Sequence, residues 1–113
     1  LAKRYITKLS SSNINIPVEN LSCKHVYHLF TVDHPKADKI IKKLSNLKIQ
    51  TRTIYPFPIH NMKAYKKLIK NKEKLKNSDR KAKRIFSLPL YPELKYSEID
   101  KICSNLIKIL KKI

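Results

Sequence analysis

The stretch His25-Val26-Tyr27-His28-Leu29-Phe30-Thr31-Val32, running on through Pro35 to Ala37, Ile40, Ile41 and Leu44, decides the fold. Its first part is rich in β-branched and aromatic residues, which pack well on a pleated surface, and it predicts a strand. Val26, His28, Phe30 and Val32 would share one face, and Tyr27, Leu29 and Thr31 the other. Both faces are largely apolar, so the strand is expected to be covered on both sides and central in its sheet. Pro35 suits the first turn of a helix. Ala37, Ile40, Ile41 and Leu44 then recur at the i, i+3, i+4, i+7 spacing of an apolar stripe, leaving Lys36, Lys39, Lys42 and Lys43 on the wet side.

Downstream, Leu47 to Tyr55 alternates through Ile49, Thr51 and Thr53 as a second strand, until Pro56 and Pro58 stop it. The order so far is β-α-β. Asn61 to Ile69 reads as a helix through Met62, Tyr65, Leu68 and Ile69, followed by a polar bridge from Lys70 to Asn77. Ser78 fits the N-cap of a helix carrying Ala82, Ile85 and Phe86. A short strand follows over Ser87 to Leu90. The clearest helix comes last: Ser97 and Asp100 fit a capping box, and Ile99, Ile102, Cys103, Leu106, Leu110 and Ile113 form one apolar face. Lys108, Lys111 and Lys112 gather in its final turn, where cations complement the helix dipole. Upstream, Ala2, Ile6 and Leu9 share a face of a short helix over Leu1 to Leu9, and Ile14 to Lys24 is an extended connection holding Pro17. The expected fold is a small α/β (α+β) domain, with helices packed on a sheet of about three strands.

Composition narrows the chemistry. The 113 residues suffice for one domain with a modest core. There is no glycine, so no P-loop and no dinucleotide fingerprint can be present, because both need Gly to bring backbone close to phosphate. The two cysteines, Cys23 and Cys103, form neither a disulfide framework nor a C-x-x-C pair. Reduced thiols, with no run long enough to span a bilayer, lead to the expectation of a soluble cytoplasmic protein without a membrane role. The 26 Lys+Arg outnumber the 8 Asp+Glu, a net charge of +18. Lysines spread from Lys3 to Lys112 dominate, and only Arg4, Arg52, Arg80 and Arg84 could make planar forks, so a solvated surface is preferred to a nucleic-acid interface.

Three blocks then resemble one family in order and spacing. Tyr55-Pro56-Phe57-Pro58-Ile59-His60 with Ala64-Tyr65 resembles the Y-P-x-P-x-H…A-Y segment of the DegT/DnrJ/StrS sugar aminotransferases. Phe86-Ser87-Leu88-Pro89-Leu90-Tyr91-Pro92-Glu93-Leu94 is similar to that family's L-S-L-P-L-Y-P-x-L signature, and His25 to Phe30 to the strand opening its small domain. The resemblance implies a C-terminal small domain of the aspartate-aminotransferase fold over residues 25–113. Residues 1–24 would hold the end of the inter-domain helix and an extended connection. It implies a pyridoxal-phosphate enzyme that moves an amino group from glutamate to a nucleotide-linked keto-sugar in amino-sugar and cell-surface polysaccharide biosynthesis, working as a homodimer.

In that family the Schiff-base lysine, the acid facing the pyridinium and the phosphate donors come from a large domain absent from these residues. No cofactor binding, no catalytic residue and no turnover are therefore expected of this chain alone. The rival expectations are a free-standing basic module for nucleic acid or another anionic surface, and an inactive gene remnant.

Substrate contacts implied by the resemblance fall on Tyr55, His60, Tyr65 and Arg52. His60, in a Pro-bounded loop, would either meet a substrate at the mouth of the active site or fix the loop by bonding to backbone. Arg52 could pair with a phosphate or be a surface cation on an edge strand, and the second is preferred. Ile54 and Met62 stand where the family often has hydrogen-bonding side chains. No metal site is expected. His25 and His28 are three apart on a predicted strand and would face opposite ways, and His34 and His60 are isolated. Cys103 reads as a core thiol and Cys23 as a loop residue.

Overall fold

The architecture is taken from a computed structural model, which describes residues 1–65, 68 and 75–113. Among these described residues seven short elements follow in the order α1 (Ala2–Leu9), β1 (Phe30–Asp33), α2 (Ala37–Asn46), a 3-10 turn (Ile59–Asn61), α3 (Lys76–Ala82), β2 (Ile85–Leu88) and α4 (Tyr96–Leu110). The fold class is the expected one: helices packed on a small sheet. Among the described residues that sheet has two strands rather than three. β1 and β2 pair antiparallel, Phe30 opposite Leu88 and Val32 opposite Phe86. Single bridges flank the pair, Asn15 beside Asp33 and Arg52 beside Ser87. On its other side β1 meets, among the described residues, only Asn15, through the single bridge at Asp33, so it is one of two strands rather than central in a larger sheet.

Phe30, Val32, Phe86 and Leu88 point at the helices, and with Tyr5, Leu9, Ile40, Leu44, Ile99, Cys103 and Leu106 they make the core. α1 and α2 both pack on α4. The first helix contributes more than its apolar stripe suggested. Tyr5 is fully buried, stacks on Phe30 at 4.8 Å, and donates its hydroxyl hydrogen to the Pro89 carbonyl at 2.8 Å.

Several expected boundaries are corrected. Residues 25–29 are not strand: Tyr27 has a left-handed φ of 52°, its N–H bonds back to His25 Nδ1 at 2.8 Å, and the two rings stack. An imidazole that takes the backbone donor competes with a strand ladder, and Val26 is left 84% exposed. Residues 47–55 pair only at Arg52. α2 ends in a Schellman turn, with Ile49 N–H on Leu44 O and Lys48 N–H on Ser45 O, and its left-handed Lys48 (φ 61°) delays extension.

Asn61 does not begin a helix. A 3-10 turn and successive i→i+3 bonds occupy residues 59–68 as far as these are described, and Ile69 with residues 70–74 of the polar bridge lies outside them. α3 starts at Lys76, so Ser78 is inside it rather than its cap, and Ile85 and Phe86 belong to β2, which ends at Leu88 rather than Leu90. At α4 the reciprocal bond comes from Glu98, which accepts the Lys95 N–H at 2.8 Å. Asp100 instead reaches across to Arg4.

Candidate functional site

α3 works as a bracket between the sheet and the Pro-rich loop. Asp33, at the end of β1, is buried and accepts from Lys81 on α3 and from Arg84 Nε at 2.7 Å just beyond it. Burial alone would raise the Asp33 pKa, but the two cationic donors outweigh it and hold the carboxyl below the usual range. On its other side α3 presents Asp79, whose Oδ1 meets His60 Nε2 at 2.9 Å and accepts from Asn61 Nδ2 at 2.6 Å. These bonds, that from His60 above all, hold the Asp79 carboxyl below the usual range. The loop is thus fastened to α3, and α3 to the strand pair.

The space so framed is an open, largely apolar groove of about 870 Å³, with Tyr55, His60, Met62 and Tyr65 on the loop side and Ser78 and Lys81 on the α3 side. Three of the four expected contact residues, Tyr55, His60 and Tyr65, therefore come together. Tyr55 is 72% exposed, whereas His60 is half-buried. Contrary to one expectation, the His60 ring bonds to the Asp79 carboxylate and not to backbone. Arg52 is elsewhere: its backbone bridges Ser87, and its side chain lines a second groove of about 590 Å³ with Lys48, Tyr91 and Lys101. Met62 lines the first groove and Ile54 lines neither.

Sequence reasoning missed Asp33, Asp79 and Lys81. A lone Asp closing an apolar run signals little until its partners, here 48 and 51 residues away, are folded against it. Cys103 is a core thiol as expected, and burial pushes it up to about 11, while Cys23 is exposed.

Pyridoxal phosphate would need a lysine inside a pocket beside an acid free to face the pyridinium. Every described lysine is exposed, and Asp33, the one buried carboxylate among the described residues, is already shared between Lys81 and Arg84. Lys66, Lys67, Lys70, Lys72 and Lys74 lie outside the described residues. The described residues do not fit the cofactor. No described helix is long and apolar enough to cross a membrane.

Comparison with known proteins settles the family. Residues 1–107 match the DegT/DnrJ/EryC1/StrS aminotransferase family. The chain belongs to this family. Among its relatives, the dTDP-3-amino-3,4,6-trideoxy-alpha-D-glucose transaminase of Micromonospora megalomicea subsp. nigra is 31% identical over 115 residues, covering 97% of this chain and 31% of the relative. The transaminase of the same description from Streptomyces venezuelae is 33% identical over 95 residues, covering 83% of this chain and 25% of that one.

Among solved structures, S. venezuelae DesV in complex with a ketimine intermediate superposes with a TM-score of 0.92 at 26% identity, covering 99% of this chain and 30% of DesV. NtdA from Bacillus subtilis with bound cofactor PMP gives 0.80 at 29% identity, covering 97% of this chain and 27% of NtdA. The chain spans under a third of the length of these relatives. Membership of an aminotransferase family does not favour the reading as a free-standing basic module.

Proposed function

We propose that this chain supplies the C-terminal lobe of a pyridoxal-phosphate sugar aminotransferase. Residues 1–24 form the end of the inter-domain helix and a connection, and residues 25–113 form the lobe. The whole enzyme transfers an amino group from glutamate to a nucleotide-linked keto-sugar, as a homodimer, toward amino-sugar and polysaccharide synthesis. The lysine and the acid that handle the cofactor belong to residues outside this chain, and the chain by itself turns nothing over. Its own contribution is the groove of Tyr55, His60 and Tyr65, which meets the sugar part of the substrate. The observation that carries the reading is the family match over residues 1–107, within which these three side chains line one groove.

A hybrid tests it. Replacing the matching residues of the Micromonospora megalomicea relative with this chain should give glutamate-dependent amination of a dTDP-linked keto-sugar, and His60→Ala should reduce it. A hybrid that folds and takes up pyridoxal phosphate yet aminates nothing would sink the proposal.

A further inference from the structure

Of the four histidines, only His60 is bonded at Nε2 to another described residue. His25 and His34 each spend Nδ1 on the backbone N–H two residues on, at 2.8 and 3.0 Å, and His28 is exposed with no partner among the described residues. His60 Nε2 faces a carboxylate, which can only accept, so in the neutral ring the proton resides on Nε2 and Nδ1 keeps its lone pair. Nδ1 has no bonding partner among the described residues, and the ring lines the groove beside Tyr55 and Tyr65. The Asp79 oxygen that holds the ring is itself steadied by Asn61, and the His60 side chain is 16% exposed against 40% for Asp79. The imidazole is therefore fixed at Nε2, and its Nδ1 edge meets no described partner.

We infer that Asp79 is a positioning residue, which locks His60 in the Nε2–H tautomer so that Nδ1 accepts a hydrogen bond from a hydroxyl group of a ligand in the groove. The ligand part rests on the reading of the groove as a sugar site; the lock does not. A neutral imidazole that can present either nitrogen meets a hydroxyl as donor or acceptor indifferently. One whose proton is held by a carboxylate can only accept, which turns His60 from a polar wall into a selector of hydroxyl geometry.

The test uses the whole chain labelled with ¹⁵N, at a pH where the imidazoles are neutral, with long-range ¹H–¹⁵N correlations reading which ring nitrogen carries the proton. His60 should show a lone-pair Nδ1 and a protonated Nε2, while His28 in the same spectrum reports an unconstrained average. Asp79→Ala should shift His60 to the His28 pattern, and Asp79→Asn, which keeps an acceptor oxygen, should retain most of the lock. Unchanged amide signals from α4 would show that each variant folds. Added dTDP-glucose should shift the His60 Nδ1 signal in the parent chain and less in Asp79→Ala. A His60 pattern already averaged, or one indifferent to Asp79→Ala, would overturn the proposal. A locked ring that ignores dTDP-glucose would uphold the lock and overturn the sugar-site reading instead.

Discussion

Arg4 and Asp100, 96 residues apart, meet in a two-point clasp: Arg4 Nε donates to Oδ1 at 2.9 Å and Nη2 to Oδ2 at 2.7 Å. Lys8, one turn along α1, adds a longer contact of 3.6 Å to the same carboxylate. The clasp fastens α1 to α4 at the rim of the core, and Arg4 holds the Asp100 carboxyl below its usual range. Arg4→Lys keeps the charge but cannot form the fork. Its thermal midpoint should fall below that of the parent chain, and the difference should shrink as salt is raised, since both side chains reach solvent. Midpoints measured at low and high salt check this.

Acid should act in two stages. Burial, with Lys36 and Arg84 nearby, lowers the His34 pKa, so the folded state resists a proton that the unfolded chain accepts near about 6.5. Its contribution is present above that value and lost as pH falls through the lower folded value. Asp33, Asp79 and Asp100 are also held low, and their contribution is present above about 3.9 and lost below it. A plot of melting temperature against pH should sag gently from about 6.5 and then drop steeply below about 4. His34→Asn should flatten the first stage alone.

Lys48 occupies the left-handed position of a Schellman turn that glycine usually fills. Lys48→Gly relieves a steric cost of about 1–2 kcal/mol and adds unfolded-state freedom worth roughly half of it. The variant should gain about 0.5–1 kcal/mol in denaturant titration. Tyr27, also left-handed, should not respond the same way, because its ring stacks on His25 and lies 6.3 Å from Phe30.

Tyr5→Phe leaves the Pro89 carbonyl without its donor while keeping the stack on Phe30. The expected loss is about 1–3 kcal/mol. Leu106→Ala, which empties a fully buried site on α4, should cost about 2–5 kcal/mol. Urea midpoints at constant m check both.

How far the sequence was legible follows from the range of the forces involved. α2 and α4 were read well because apolar spacing is a local property, and Ile40, Leu44, Ile99, Cys103 and Leu106 are buried as their stripes required. The strand over residues 25–32 was overextended because propensity does not register a His25 ring that takes a backbone donor. Tyr5 lay outside the stripe of Ala2, Ile6 and Leu9, and its burial depends on Phe30 and Pro89, which only the tertiary fold brings near. Tyr55, His60 and Tyr65, which share the groove, were singled out by the resemblance of their block to the family's Y-P-x-P-x-H…A-Y segment. Asp79 was not, since its bond to His60 spans 19 residues, part of them a Lys-rich run without apolar rhythm.

The packing of α1 and α2 on α4 also constrains how the chain is made. α4 is synthesised after every other described element, so the sides of α1 and α2 that pack on it stay uncovered until Leu106 has emerged. Nascent chains should therefore stay sticky until α4 is free to fold back, and a stop codon ahead of Ile99 should yield an aggregate or a chaperone client rather than a smaller folded protein.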